Sequence, residues 1–239
     1  MIAFVGDVHD LLGEFRDVLH GLPRAVRAVV QVGDLWVRPD EADAPPLPDG
    51  APRELPRRPR DPRFRWRRPP RDLYAIDGNH WPYPLTRGLA VPTRIAPGLT
   101  YLPRAAVVTL PGRAGPLRVG CLGGADSVLD AAFRRLGDDS FPAEERVAEA
   151  DVERLLANAR AAGGVDVLVT HTPPGSVTAA MTGGRPPHPS AVLVDEAWWA
   201  LGGGAPDPPL ELVCGHMHAA WRDARFRVEV LPLLGVAFR

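Results

Sequence analysis

A series of short apolar runs, each cut off by glycine or a polar residue, constrains this chain more than any other feature. Ile2-Ala-Phe-Val-Gly6, Ala28-Val-Val-Gln-Val-Gly33 and Leu73-Tyr-Ala-Ile-Asp-Gly78 are the first three. Runs this brief, ended by a breaker, read as buried strands and not as helices. Between the first two, Leu11, Leu12, Phe15, Val18 and Leu19 recur at helical spacing, so a helix follows the first strand. Further strands are expected around Ala105 to Leu110, Leu117 to Cys121, Val165 to Thr170 and Leu210 to Cys214, with Arg225 to Leu234 closing the sheet. Helices are expected within Pro142 to Ala161 and over Ala191 to Leu201. Strands alternating with helices early, and strand-rich segments late, predict an α/β protein with one mixed sheet or two packed sheets.

Pro39 to Arg71 breaks this pattern. Proline removes backbone donors and fixes φ, so at this density the segment is expected to be an irregular insertion within a single domain spanning 1–239. Its first part is acidic and its second carries nine arginines from Arg53 to Arg71. It reads either as an anion-collecting lid or as a solvated loop. All 28 basic residues of the chain are arginine, and alanine and proline are abundant, which points to GC-rich coding and discounts the arginine count as a functional signal.

Five polar clusters stand at the ends of the expected strands: Gly6-Asp-Val-His9, Gly33-Asp34, Gly78-Asn-His80, Thr170-His171 and Gly215-His-Met-His218. Side chains at i and i+2 of an extended segment share a face, so Asp7 with His9, and His216 with His218, are expected to converge in pairs. Singly, each cluster also reads as a turn or a hydrogen-bonded core histidine. Their coincidence carries the signal, because five of the seven histidines fall in them. The carboxyl ends of strands are where open α/β sheets build sites. His20 and His188 fit no cluster and read as surface or loop residues.

In this order the clusters resemble the calcineurin-like metallophosphoesterases, whose pattern is Asp-x-His, Gly-Asp, Gly-Asn-His, a lone His after a strand, and Gly-His-x-His. The resemblance runs from Asp7 to His218. It implies an α/β/β/α sandwich of two mixed sheets flanked by helices. It also implies two metal ions, the first held by Asp7, His9, Asp34 and His218 and the second by Asn79, His171 and His216, with Asp34 bridging both. His80 would lie outside the ligand set, as a catalytic group steadying the phosphoryl group or protonating the leaving oxygen. Carboxylate, amide and imidazole donors without thiolate suit divalent or trivalent manganese, iron, zinc, cobalt or nickel. Two such ions roughly 3.5 to 4 Å apart activate a shared water for in-line attack at phosphorus. Gly123-Gly-Ala-Asp-Ser127 also looks like a glycine-rich segment of some small bacterial members.

The chain departs from the protein serine/threonine phosphatases of that superfamily. Their Gly-Asp-x-x-Asp-Arg-Gly reads here Gly33-Asp-Leu-Trp-Val-Arg-Pro39, and the acidic residue after Gly-Asn-His is Trp81. The expected substrate is therefore a phosphorylated small molecule or nucleotide, with Arg38 a candidate phosphate clamp or a surface arginine. Trp36, Trp81 and Tyr83 read as a stacking wall for a planar group or as packing against the insertion. Trp198 and Trp199 read as core or interface. A nuclease-type phosphodiesterase using the arginine-rich segment, and a non-catalytic interaction scaffold of the same fold, are the alternatives. A net charge of -1 lends nucleic acid no global support. No apolar run approaches the ~20 residues of a membrane helix. With no basic leader before the first strand, a cytoplasmic location is expected. Cys121 and Cys214, each ending an apolar run, are expected as reduced core thiols.

Overall fold

The computed structural model describes residues 1–9, 11–35, 68–127, 143–204 and 208–239. Most of the proline-rich insertion lies outside the described residues, as do Trp36 and Arg38 just before it.

The short apolar runs become the parallel centres of two six-stranded sheets. The first sheet has the order β12-β1-β2-β3-β5-β4. Its strands are β1 (Ile2–Val5), β2 (Ala28–Gln31), β3 (Asp72–Ala75), β4 (Thr93–Ala96), β5 (Leu99–Tyr101) and β12 (Val236–Phe238). β1, β2, β3 and β5 run parallel, and β12 and β4 are antiparallel edges. The second sheet has the order β10-β11-β9-β8-β7-β6. It comprises β6 (Val107–Pro111), β7 (Pro116–Leu122), β8 (Val167–Thr170), β9 (Glu211–Cys214), β10 (Trp221–Asp223) and β11 (Val228–Val230). Again the middle four are parallel and the edges antiparallel. Every residue of β1, β2 and β8 is buried, which is what a parallel strand covered on both faces requires.

Three apolar layers follow from this. Ile2, Phe4, Val30 and Ile76 of the first sheet meet Val119, Cys121, Val169 and Val213 of the second. On the far side of the first sheet lies α1 (Leu12–Gly21), which buries Leu12, Phe15 and Leu19 along one stripe. Burying a side chain such as Phe15 contributes about 1.5–3 kcal/mol. The far side of the second sheet is covered by α2 (Glu149–Ala161), α3 (Gly175–Met181) and α4 (Pro189–Ala200). Asp151 accepts the Ala148 N–H at 3.0 Å and so caps α2, while Pro189 opens α4 with its φ already helical. Two mixed sheets flanked by four described helices make the expected sandwich.

Several boundaries differ from expectation. Arg225 to Leu234 does not close a sheet: only Val228–Val230 is strand, and it lies inside the second sheet between β9 and β10. β12 forms the edge of the first sheet beside β1. The helix expected within Pro142 to Ala161 is present as α2, with a 3-10 turn at Ala143–Glu145 ahead of it. Arg71, counted among the arginines of the insertion, is committed to structure. Its guanidinium donates to the carbonyls of Leu19 (2.9 Å), Leu22 (2.8 Å), Pro23 (3.2 Å) and Val26 (3.1 Å), closing the C-terminal end of α1. Among the described residues no helix is long and apolar enough to cross a membrane. Cys121 and Cys214 are buried and unpaired as disulfides, and burial pushes the Cys121 thiol up to about 12.

Candidate metal centre

All five polar clusters begin where a parallel strand ends: after β1, β2 and β3 in one sheet and after β8 and β9 in the other. The sheets face each other, so these ends share one edge of the sandwich. Backbone bonds tie the turns together. His9 N–H donates to the Asp34 carbonyl at 2.9 Å and Gly215 N–H to the His171 carbonyl at 3.0 Å.

Side chains from different clusters then meet. His218 Nε2 lies 3.1 Å from Asp7 Oδ2 and 2.9 Å from His9 Nε2. His171 Nε2 lies 3.2 Å from Asp34 Oδ2 and 3.1 Å from Asn79 Oδ1. His9 Nε2 is 3.7 Å from Asp34 Oδ2, which places that oxygen between the two groups. His216 stacks edge-on against His171, with ring centroids 5.0 Å apart, and its backbone N–H donates to both oxygens of Asp7 (3.1 and 3.0 Å). Ligand atoms of Asp7, His9 and His218, of His9, Asp34 and His80, and of Asp7, Asp34 and His171 each fall within 4.8 Å of one another. His80 is exposed at the rim. Its ring centroid is 5.2 Å from that of His9 and its backbone N–H donates to Asp34 Oδ1 at 2.8 Å.

The convergence has a different local cause from the one the sequence suggested. The segments holding these pairs are turns and not extended chain. His9 (φ 47°), Asp34 (φ 57°), His216 (φ 67°) and His218 (φ 51°) all occupy the left-handed region. Non-glycine residues avoid that region, and such departures concentrate at functional sites. Met217, between the two histidines, packs into the apolar layer under the second sheet. The glycines have an equally direct role. A Cβ at Gly33 would collide with the His171 ring, one at Gly78 with the Asp34 carboxylate, and one at Gly215 with the Asp7 carboxylate. Gly33, Gly78 and Gly215 are thus the space into which another motif's polar side chain fits, whereas Gly6 lies against the Pro232 carbonyl.

Asp7, Asp34 and His171 are almost wholly buried, so their charges govern one another. Burial opposes charge on His171, but the Asp34 and Asp7 carboxylates outweigh it and raise its pKa to about 9. Burial likewise works against ionised Asp34, yet His171 holds that carboxyl well below the usual carboxylate range. Burial, reinforced by the charge on His171, lowers His216 to about 3. The hydrogen bond to Asp7 raises His218, whereas burial lowers His9. His171 Nδ1 bonds the Val32 carbonyl at 2.9 Å, which fixes the ring and turns Nε2 toward Asn79 and Asp34. Two buried carboxylates, with imidazoles from separate strand ends aimed at common points, are the donor chemistry a divalent cation needs. The residues present fit metal ions.

Trp81 is placed otherwise than a substrate-stacking role requires. It is buried, stacked on Tyr101 with centroids 5.4 Å apart, and its indole N–H donates to Thr86 at 3.0 Å. Tyr83 is buried beside it and donates its hydroxyl to the Gly78 carbonyl at 2.7 Å. Both aromatics build the floor under Gly78-Asn-His80. Trp198 is core and Trp199 is 56% exposed, while His20 and His188 lie at the surface. A second set of supports escapes sequence reasoning. Buried Gln31 clamps the Gly33 turn, accepting its N–H at 3.1 Å and donating to its carbonyl. Asp77 is buried against Arg104, Tyr83 and Tyr101 and so faces away from His80. A polar residue inside an otherwise apolar run, as Gln31 is between Val30 and Val32, was the available clue.

No curated protein sequence matches the chain closely enough to count as a relative. With the model of the calcineurin-like phosphoesterases matching residues 1–220, a span that holds every strand end converging on this centre, the chain belongs to that family.

Proposed function

We propose that the chain hydrolyses a phosphomonoester or phosphodiester of a small molecule or nucleotide at a two-ion centre. Asp7, His9, Asp34 and His218 would hold one ion, and Asp34, Asn79, His171 and His216 the other. The observation that carries this reading is the position of Asp34 Oδ2, 3.2 Å from His171 Nε2 and 3.7 Å from His9 Nε2, as a bridge between the two groups requires. Bound there, the ions would supply Lewis-acid polarisation of the phosphoryl oxygen and a lowered water pKa. Asp7, nearly free of solvent, orients His218 and anchors the His216 turn through its two oxygens. His80, an exposed imidazole outside the proposed ligand set, would hold a proton at the leaving oxygen or donate to the phosphoryl group. The departures at Pro39 and Trp81 from the protein-phosphatase motifs support a small-molecule or nucleotide substrate. The test is hydrolysis of para-nitrophenyl phosphate and its bis ester by the purified protein with added manganese. Chelator-sensitive turnover of at least one is expected. Once turnover is seen, a phosphorylated-metabolite panel narrows the substrate; no turnover of either ester with manganese, iron, zinc, cobalt or nickel would overturn the reading.

Proton linkage offers a separate check. His171, raised to about 9 in the metal-free protein, carries a proton at neutral pH that an ion must displace. Affinity for manganese should therefore rise with pH, by about tenfold per unit for each displaced proton, and level off above about 9. Calorimetric titrations in buffers of different ionisation enthalpy should show proton release at pH 7. The stability of the metal-free protein should follow the opposite trend. A histidine whose folded pKa is raised contributes stability that is complete below its ordinary 6.5 and lost as pH climbs through about 9. Metal affinity flat across that window would mean that no proton leaves His171 when an ion binds.

A further inference from the structure

Gly123-Gly-Ala-Asp-Ser127 follows β7 on the same edge of the sandwich as the five clusters, yet contributes no donor to them. Its backbone is pressed between the neighbouring turns. Gly124 N–H donates to the Asp77 carbonyl at 2.9 Å, Gly124 sits at φ 94°, and a Cβ at Gly123 would strike Asp77. Asp126 is tied to the start of α4 by the Ser190 N–H at 2.8 Å. This anchoring delivers Ser127 to one place: its hydroxyl lies 3.2 Å from Asn79 Nδ2 and 2.8 Å from Glu145 Oε2. Glu145 is fully buried, and its other oxygen accepts the Ser127 N–H at 3.2 Å.

We infer that Ser127 and Glu145 are positioning residues that set which end of the Asn79 amide faces the metal centre, and so tune affinity for the second ion. The inference rests on Asn79 being a ligand, as proposed above. An asparagine amide is nearly symmetric in shape, so packing alone does not decide whether oxygen or nitrogen points at the centre. The hydrogen-bond chain decides it. A carboxylate only accepts, so Glu145 takes the Ser127 proton and leaves the hydroxyl oxygen to accept. Only the NH2 of Asn79 can answer that acceptor, which turns Oδ1 toward His171 Nε2, 3.1 Å away. An amide donates nothing useful to a cation through its NH2, so a reversed Asn79 would be lost as a ligand. Partners that orient a ligand in this way are typically worth 10–100-fold in metal affinity.

Glu145→Gln is the sharpest probe because it keeps size while reversing polarity. A glutamine NH2 can donate to Ser127, freeing the hydroxyl proton to bond the Asn79 oxygen and turn its NH2 inward. Manganese titrations of the full-length protein by calorimetry, with stoichiometry from metal analysis, give the readout. Glu145→Gln and Ser127→Ala should weaken the second ion by roughly 10–100-fold while the first stays within about twofold, the latter showing that the fold is intact. Ser127→Thr, which retains the hydroxyl, should restore the second ion to near the parent value. Asn79→Ala separates this inference from the reading beneath it. If Asn79→Ala weakens the second ion and Glu145→Gln and Ser127→Ala do not, the positioning role is wrong and the ligand assignment stands. If Asn79→Ala leaves both ions unchanged, the ligand assignment fails and the inference falls with it. Should Ser127→Ala not fold, Glu145→Gln with the Ser127→Thr comparison decides the same question.

Discussion

On the proposed two-ion reading, replacing Asp34 by asparagine is expected to reduce kcat/KM for a phosphoester substrate by about a thousandfold or more, and to lower bound metal from two ions per chain toward one. Asp34 is 1% exposed, its Oδ1 accepts the His80 N–H at 2.8 Å, and its Oδ2 stands between His171 and His9. Asparagine keeps the volume and can still accept from His80, so the turn should persist. What it removes is the negative charge that stands between His171 and His9. The paired measurement is steady-state kinetics with metal analysis, and a thermal transition of the metal-free variant separates loss of the site from loss of the fold. The acid limb of stability should also change. A carboxyl held below its ordinary 3.8 contributes stability present above that pH and lost as pH falls below it, and the D34N variant lacks that contribution. Activity within tenfold of the parent, with both ions retained, would remove Asp34 from the bridging position.

The second large effect concerns stability and arises beneath the site. Arg104→Ala should lower the unfolding free energy by about 3–5 kcal/mol, because it strands a buried carboxylate. Arg104 Nε and Nη2 lie 2.8 and 2.6 Å from Asp77 Oδ2, and Asp77 is 1% exposed. The same guanidinium donates to the carbonyls of Glu144 (2.6 Å) and Glu145 (3.1 Å) and to that of Arg146, so it joins β3 to the segment before α2. Tyr101 donates its hydroxyl to Asp77 Oδ1 at 3.1 Å, and burial and Asp77 push the Tyr101 and Tyr83 hydroxyls up, which keeps them donors. Arg87→Ala is the matched control. Its 2.7 Å pair with Glu144 is about half exposed on both sides, and such pairs contribute about 0–1 kcal/mol. Denaturant unfolding of both variants gives the comparison. A loss below about 1 kcal/mol for Arg104→Ala would mean that water or another cation compensates Asp77.

Strands β1, β2, β3, β7, β8 and β9 were legible because each is an apolar run stopped by a glycine or a polar residue, and burial on both faces leaves that mark in composition. The edge and hairpin strands β4, β5, β10 and β12 were not, since three or four residues with one exposed side carry too little periodicity to register. α3, seven residues following Pro173-Pro174, escaped for the same reason of length. In the site, the extended chain expected at these pairs is replaced by left-handed turns at His9, His216 and His218, and His218 meets His9 and Asp7 while His216 meets His171.

By itself the sequence determined the order of the strand-end clusters and the residue types each would present, because ligand chemistry and turn chemistry are both local. Family, sandwich fold and the Asp7 to His218 span follow from that order. Only the tertiary structure decided which oxygen faces which nitrogen, that Trp81 belongs to the core, and that Arg71 closes α1. It alone joined Asp77 to Arg104 and Asn79 to Ser127 and Glu145. Those pairings link residues 27, 48 and 18 positions apart, and nothing in a one-dimensional pattern encodes a hydrogen bond whose partners only the folded chain brings together.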